Sequence, residues 1–206
     1  SARRATRGHA QRIAVWDMDN VFPAIESMIA TMNDAQAEFG FELADFSVPL
    51  DVWELDQKAG KTYLVAERLV RRLRGAPVEL GVDLLACITR HWMCSADWKD
   101  RYGYIAGPGE APIMIFSVAG FPEMAPQGRD TDRVLANAMT AGLASALGKA
   151  PLHERGDKNC PLYFNTRRSF DHLAGQQAFD AKCRALLKKN LGDKFAALEA
   201  LLGLFR

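Results

Sequence analysis

Short apolar runs and one alternating segment predict the strands of this chain. The apolar runs are Arg12–Trp16, Val82–Arg90 and Pro112–Val118, and the segment with alternating polarity is Phe41–Pro49. Each run is bounded by polar or turn-forming residues and is too short for a core helix, so each is interpreted as a strand. The segment His91–Gly109 is rich in Gly, Trp and Tyr and is predicted to be a loop or a short hairpin.

Apolar residues spaced three and four apart predict the helices. The segments are Asn20–Phe39, Lys61–Arg74, Thr131–Leu147 and Ala174–Leu204, and Gly192 is expected to divide the last of them. Such spacing places the apolar side chains on one face of each helix. The order of strands and helices predicts an α+β or α/β arrangement built on a mixed sheet.

Length and composition indicate a globular domain. The chain has 206 residues, of which 49% are apolar and 25% charged, enough for a real hydrophobic core. The net charge of +1 argues against a dedicated nucleic-acid binder, which carries a strong basic excess. No apolar run approaches the roughly 18 residues that a membrane span needs. The four cysteines are too scattered for a disulfide scaffold, which predicts reduced thiols in a cytoplasmic protein.

The first twelve residues differ from the rest in charge. Arg3, Arg4, Arg7 and Arg12 make them locally basic, and they are predicted to form a disordered arm, with an anionic partner as the alternative. Residues 13–206 then form one domain. The start at Ser1, without Met, suggests a domain of a longer polypeptide.

The segment after Thr131 has the layout of a zinc peptidase without its ligands. In such enzymes one helix carries His-Glu-x-x-His, a Gly three residues later turns the chain, and a third His follows. If Gly148 is that glycine, the His, Glu and His positions are occupied by Ala141, Gly142 and Ser145. His153 then falls close to the place of the third His.

The sequence beyond His153 resembles the archaemetzincin family. That family's pattern has a Cys, a Met two residues later, a gap of 17 residues and a Cys-x-x-Cys pair. Cys160 and Leu162 match its first part, and Asp180 and Cys183 stand at the positions of the final pair. The resemblance covers Gly81–Leu191 and implies a single α+β zincin-like domain, with a mixed sheet packed against helices and with C-terminal helices.

For the family, the resemblance implies a zinc-dependent peptidase with a second, structural zinc of four ligands. Ala141, Gly142 and Ser145 cannot bind zinc or act as a general base, and His153 alone cannot hold a catalytic zinc, which needs three protein ligands. The catalytic site is therefore expected to be degenerate.

The second zinc site is also expected to be incomplete. Cys160, Asp180 and Cys183 are too few for a tetrahedral cage unless Cys94 or His172 joins them. We therefore expect that the chain binds no metal and no other cofactor.

A peptidase-shaped domain without zinc chemistry can still bind protein. In peptidases of this shape the substrate pairs with an edge strand through main-chain hydrogen bonds, and this mode needs no metal. The resemblance makes Ile113–Val118 the candidate edge, with Ile113, Ile115 and Ser117 as its binding residues. The expected function is protein or peptide binding, scaffolding or regulation, either alone or within a larger protein.

Two enzymatic alternatives remain open. Asp17 and Asp19 follow an apolar strand, as do the nucleophile and the acid/base of Mg²⁺-dependent haloacid-dehalogenase-type phosphatases, and Thr89, Lys149 and Asp157 could complete such a site. The same aspartates could instead cap the next helix.

The other alternative is a metallopeptidase with an atypical ligand set. It requires His153 to lie close to His91, His172 or Asp157 in the folded chain.

Overall fold

The computed structural model describes residues 11–44, 46, 48–97, 99–121, 131–164 and 169–205. Apart from Gln11 and Arg12, the predicted basic arm lies outside the described residues. The strands are β1 (Gln11–Asp17), β2 (Phe39–Leu43), β3 (Leu55–Lys58), β4 (Lys61–Val65), β5 (Leu84–Thr89), β6 (Trp92–Cys94), β7 (Gly103–Ile105) and β8 (Ile113–Ser117). The helices are α1 (Ile25–Ala35), α2 (Ala66–Arg72), α3 (Ala76–Leu80), α4 (Thr131–Ala146), α5 (Phe170–Gly175), α6 (Ala181–Leu191) and α7 (Lys194–Leu201).

A five-stranded mixed sheet organises the molecule. Its order is β2-β1-β5-β8-β7, in which the first four strands are parallel and β7 runs antiparallel to β8. In register, Val15 lies beside Ala86, and Ala86 lies beside Met114. The predicted α+β fold with a mixed sheet and C-terminal helices is confirmed.

Both faces of the sheet are covered, which explains why its central strands are apolar without alternation. Successive side chains of β8 point to opposite faces. Met114 and Phe116 belong to the larger core, which contains α1, α4 and the C-terminal helices. Ile113 and Ile115 belong to a smaller core that contains α2.

A second sheet, of order β3-β4-β6, was not predicted. The predicted helix Lys61–Arg74 is wrong in its first half, because Lys61–Val65 forms β4 and the helix starts only at Ala66. A two-residue turn joins β3 to β4, and both of its residues, Ala59 and Gly60, have positive φ, as hairpin turns of the favoured hand require. The strand β6 within His91–Gly109 completes this sheet.

The helices after β8 agree only in part with the sequence pattern. The predicted Ala174–Leu204 is not helical at residues 176–180, and most of α5 lies before its predicted start. The predicted Thr131–Leu147 corresponds to α4, and Gly192, at φ +57°, separates α6 from α7 as expected. Asp180 caps α6, since its carboxylate accepts a hydrogen bond of 2.8 Å from the backbone N–H of Cys183. In the described parts of the chain, no helix is long and apolar enough to cross a membrane.

Gly148, the predicted turning glycine, allows close packing and does not have a positive φ. The positive φ after α4 belongs to Lys149, at +51°. A Cβ on Gly148 would lie 2.5 Å from Leu187 Cδ2 and 2.6 Å from the Ala144 carbonyl oxygen. The absence of a side chain at this position therefore lets α6 pack directly against the end of α4.

The variant Gly148→Ala should lower the free energy of unfolding by about 2 kcal/mol, because the new methyl group overpacks the contact with α6. For a chain of this size that loss corresponds to a fall in Tm of roughly 4–8 °C. Urea and thermal denaturation measure it. Gly103→Ala is the matched control, since nothing lies within 4 Å of its Cβ position. Equal stability of the two variants would contradict the packing role of Gly148.

Candidate functional site

A cavity of about 750 Å³ lies between α4 and the β7–β8 strand pair. One wall is a single stripe of α4 and the turn after it, at spacings of three and four residues that place side chains on one helix face. This wall consists of Ala138, Ala141, Gly142, Ser145, Ala146 and Lys149. The cavity therefore lies beside the helix that was predicted to correspond to the ligand-bearing helix of zinc peptidases.

The three positions predicted to be degenerate, Ala141, Gly142 and Ser145, all line this cavity. Met114 reaches across from β8 and covers Gly142, so that its Sδ and Cε lie 2.4 Å from the place where a Cβ would stand. A glutamate cannot occupy position 142 unless Met114 moves. The sequence at these positions offers neither a metal ligand nor a general base.

The assignment of β8 as the binding edge is wrong. β8 pairs with β5 on one side and with β7 on the other, so its backbone groups are used within the sheet. Ile113 and Ile115 face the smaller core, away from α4. Ser117 is fully buried and donates a 2.6 Å hydrogen bond from Oγ to the His91 carbonyl oxygen.

The edge strand beside the cavity is β7. The N–H of Ser117 donates to the carbonyl oxygen of Tyr102, and the N–H of Ala106 donates to the carbonyl oxygen of Ile113. In the segment 102–106 the even-numbered residues therefore turn their backbone groups toward β8. In an antiparallel ladder the intervening residues turn theirs outward. Gly103 and Ile105 therefore present N–H and C=O groups at the outer edge, and both residues line the cavity.

A second constellation, outside the cavity wall, brings together four side chains that could hold a metal ion. The ligand atoms of His153, Cys160, Asp180 and Cys183 all lie within 4.8 Å of one another. His153 and Cys160 belong to the loop after α4, which a bridge between His153 and Tyr163 holds in place. Asp180 is the N-cap of α6, and Cys183 belongs to its first turn.

The hydrogen bonding of His153 favours a cation at this point. Its Nδ1 lies 2.9 Å from the carbonyl oxygen of Arg155, and because a carbonyl oxygen only accepts, Nδ1 carries the proton. With the proton on Nδ1, Nε2 of the neutral ring carries a lone pair. This lone pair lies against a carboxylate oxygen that also only accepts, because Nε2 is 3.2 Å from Asp180 Oδ2. This contact does not have hydrogen-bond geometry, and Nε2 is a buried atom without a hydrogen-bond partner. A metal ion between the two groups would relieve the repulsion between the Nε2 lone pair and the carboxylate.

The cysteines of the group are closed off from solvent. Cys160 is fully buried and Cys183 is 6% exposed. Burial, together with the neighbouring Cys160 and Asp180, raises the pKa of Cys183 to about 12. A metal ion must therefore displace the thiol proton in order to bind, and its affinity falls with decreasing pH.

Asp180 remains ionised within the group. Burial acts to raise the pKa of Asp180, but hydrogen bonds from the backbone and thiol of Cys183, together with the proximity of His153, outweigh it and lower that pKa. One imidazole, one carboxylate and two thiols form a set of four ligands suited to a closed tetrahedral zinc site. The residues fit such an ion.

The sequence identified three members of this group and assigned the fourth, His153, to the catalytic site. His153 joins Cys160, Asp180 and Cys183, because its loop folds back along Leu162–Phe164. Neither residue named as a possible fourth ligand is part of the group. Cys94 belongs to β6 in the second sheet, and His172 Nε2 contacts the carbonyl oxygen of Lys158.

The atypical peptidase set is not assembled. His153 does not share a metal-ligating group with His91, His172 or Asp157 within the described residues. The Asp157 carboxylate instead accepts a 2.9 Å hydrogen bond from the N–H of Asn159.

Asp17 and Asp19 act as caps at the ends of strands. The carboxylate of Asp17 accepts hydrogen bonds of 2.8 and 2.9 Å from the N–H groups of Val21 and Phe22. Asp19 accepts hydrogen bonds from Thr89 Oγ1 at 2.9 Å and from the N–H of Arg90 at 2.7 Å. Neither aspartate caps α1, whose N-cap residue Ala24 has no side-chain capping hydrogen bond, so the predicted helix capping is wrong. The two carboxylates instead hold the loop and the strand ends around them.

Comparison with known proteins gives relatives by structure alone. No family model and no curated protein matches the sequence. An archaemetzincin from Methanopyrus kandleri aligns with a TM-score of 0.66 and 18% identity over 91% of this chain and 98% of its own.

Two further solved structures agree with this result. A zinc-dependent peptidase from Methanocorpusculum labreanum gives a TM-score of 0.60 and 16% identity, over 85% of this chain and 99% of its own. An archaemetzincin from Archaeoglobus fulgidus, solved with malonate, gives 0.62 and 12% over the same shares.

The expectation that the chain has no cofactor is wrong. The complete group of His153, Cys160, Asp180 and Cys183 could hold a metal ion, and a protein of the same fold is a zinc-dependent peptidase. Only three of these ligands were predicted to lie together, because the place of His153 depends on the folding of its loop. The chain has the archaemetzincin fold, a zincin-like metallopeptidase fold.

Proposed function

We propose that this chain is a peptide-binding domain that holds an extended protein segment in the β7–α4 cavity without hydrolysing it. One observation carries the proposal. The edge strand β7 turns backbone groups outward beside α4, which has Ala141, Gly142 and Ser145 at the positions where a zinc peptidase would have its metal ligands and general base. Main-chain pairing with such an edge gives affinity without a metal.

The absence of hydrolysis is supported by the chemistry of the cavity wall. Peptide hydrolysis on this scaffold needs a metal-bound water and a general base at the helix. Ala141 and Gly142 supply neither, and Ser145 has no histidine beside it in the described part of the cavity lining. The metal-ligating group that the described residues do form contains none of these positions.

The length of β7 sets the size of the bound segment. Its three residues span roughly 10 Å, which suits about three to five residues of an extended partner. Gly103 and Ile105 offer two outward pairs of N–H and C=O groups. Side chains of the partner then alternate between the cavity and solvent.

The metal group supports a structural role for zinc in this proposal. His153, Cys160, Asp180 and Cys183 would supply four ligands, which leaves no open position for a catalytic water. A bound zinc ion would tie the loop after α4 to the first turn of α6. Its expected contribution is to stability, since metal binding adds to the free energy of unfolding.

The location proposed for the protein is the cytoplasm. All four cysteines are free thiols and buried, which suits a reducing compartment. A protein or peptide partner in that compartment is therefore expected.

Gly103→Pro should weaken peptide binding at least roughly fivefold, because proline removes an outward N–H worth about 1 kcal/mol and keeps the pairing of β7 with β8. The probe is a peptide enriched from a bead-displayed library of random octapeptides, labelled with fluorescein and titrated by fluorescence anisotropy. Gly103→Ala keeps the N–H and should bind as the wild type does. Mass spectrometry of the peptide after incubation with zinc-loaded protein should find it intact. Cleavage, or equal binding by the proline variant, would contradict the proposal.

Protein purified without chelator should contain about one zinc ion per chain, and Cys183→Ser should abolish that zinc. At a zinc concentration a hundredfold above Kd the ion adds about 2.7 kcal/mol, so the variant should lose roughly 5–11 °C in Tm. Elemental mass spectrometry and calorimetry measure both effects. Cys94→Ser also replaces a buried thiol, but outside the group, and should retain the zinc. A wild-type protein that takes up no zinc even when it is added would exclude this role.

A further inference from the structure

The wall that α4 gives to the cavity changes in polarity along its length. The first part of the wall is apolar and consists of Ala138, Ala141 and Gly142. Met114 from β8 adds its thioether there. Ser145 follows, and the stripe ends at Lys149, its first long polar side chain. An occupant that lies along this wall meets an apolar end first and a cationic end last.

Lys149 stands in a costly backbone conformation. Its φ of +51° is left-handed, which costs a residue with a side chain roughly 1–2 kcal/mol relative to glycine. Such strain concentrates where a particular side chain is needed at a fixed place. Lys149 is also exposed, which keeps its ammonium group available to a ligand.

The other charged residues that line the cavity already have internal partners. Asp100 Oδ1 accepts a hydrogen bond from Tyr63, and Glu110 Oε2 accepts one from the N–H of Gly107. Arg101 donates from Nε to Ser95 Oγ. Among the described residues, neither an ion pair nor a side-chain hydrogen bond of Lys149 is found, so its ammonium group stays available at this end of the cavity.

On the basis of the proposed function, we infer that the bound segment carries an apolar side chain for the Ala138–Gly142 end and a carboxylate for Lys149. The stripe from Ala141 to Lys149 covers roughly 12 Å at the helical rise of 1.5 Å per residue. An extended chain crosses that distance in about four residues, and side chains on one face recur every second residue. The apolar and acidic residues of the ligand are therefore two or four positions apart.

A selection from the random octapeptide library tests this inference, using wild-type protein, Lys149→Glu and Ala141→Leu in parallel. The wild type should enrich Asp or Glu two or four positions from an aliphatic or aromatic residue. Lys149→Glu should enrich Lys or Arg in place of the acid and keep the apolar residue. Ala141→Leu fills the apolar end and should lose the preference for the large apolar residue only. Thermal melts of each variant confirm that it is folded.

Affinities of one enriched peptide sharpen the test. Lys149→Gln should weaken its binding about tenfold, as the loss of a charge-assisted hydrogen bond does. Lys149→Arg should restore most of the affinity, and added salt should weaken binding to the wild type more than to Lys149→Gln.

The two proposals fail in different ways. The role of Lys149 is refuted if Gly103→Pro abolishes binding but the peptides enriched by the wild type show no preference for an acidic residue. It is also refuted if Lys149→Glu still enriches acidic peptides. In both cases the proposal of peptide binding stands. If no peptide is enriched, or if Gly103→Pro binds as well as Gly103→Ala, the proposed function fails and the inference fails with it.

Discussion

The close packing around α4 is the constraint on which both sites depend. Gly142 lets Met114 of β8 cross the helix, and Gly148 lets Leu187 of α6 contact its end. A Cβ at either glycine would meet an atom at 2.6 Å or less. The small residues of this helix therefore fix its distance from the sheet on one side and from the C-terminal helices on the other. Protein interiors tolerate little change in such contacts, because they are packed as densely as organic crystals.

The same packing separates metal chemistry from the cavity. Beside the cavity, α4 presents Ala141, Gly142 and Ser145, none of which can ligate a metal. Beyond the end of α4, the approach of α6 brings Asp180 and Cys183 next to the loop that carries His153 and Cys160. A site with four protein ligands is saturated and suits a structural ion, whereas a catalytic ion needs an open position. The arrangement places the four-ligand group and the cavity at two neighbouring but separate positions.

The sequence predicted those elements whose pattern is local. β1, β5 and β8 are apolar runs, and α4 has its small and apolar residues at helical spacing, so both types were placed within a few residues. The first half of Lys61–Arg74 was wrongly predicted to be helical, because Tyr63 and Leu64 fit the apolar face of a helix as well as a strand. The pairing of β4 with β6, which the sequence does not show, decides for the strand. Gly103–Ile105 is too short to show a pattern, so the sequence did not reveal that β7 covers β8, which the resemblance alone had made the candidate edge. The place of His153 was equally hidden, because it depends on the bridge to Tyr163.

The metal group and the cavity share a loop, and this links the two sites physically. The backbone N–H of Phe164 donates to the carbonyl oxygen of His153 at 2.8 Å, and the N–H of His153 donates to that of Leu162 at 3.0 Å. Leu152 and Phe164, which flank this pairing, both line the cavity. An ion that fixes the His153 ring therefore also restricts one end of the cavity wall. Such a link is reciprocal in free energy, so a ligand that orders Leu152 and Phe164 stabilises the metal-bound arrangement by the same amount. The four-ligand group is thus connected to the cavity wall through the backbone, although none of its side chains lines the cavity.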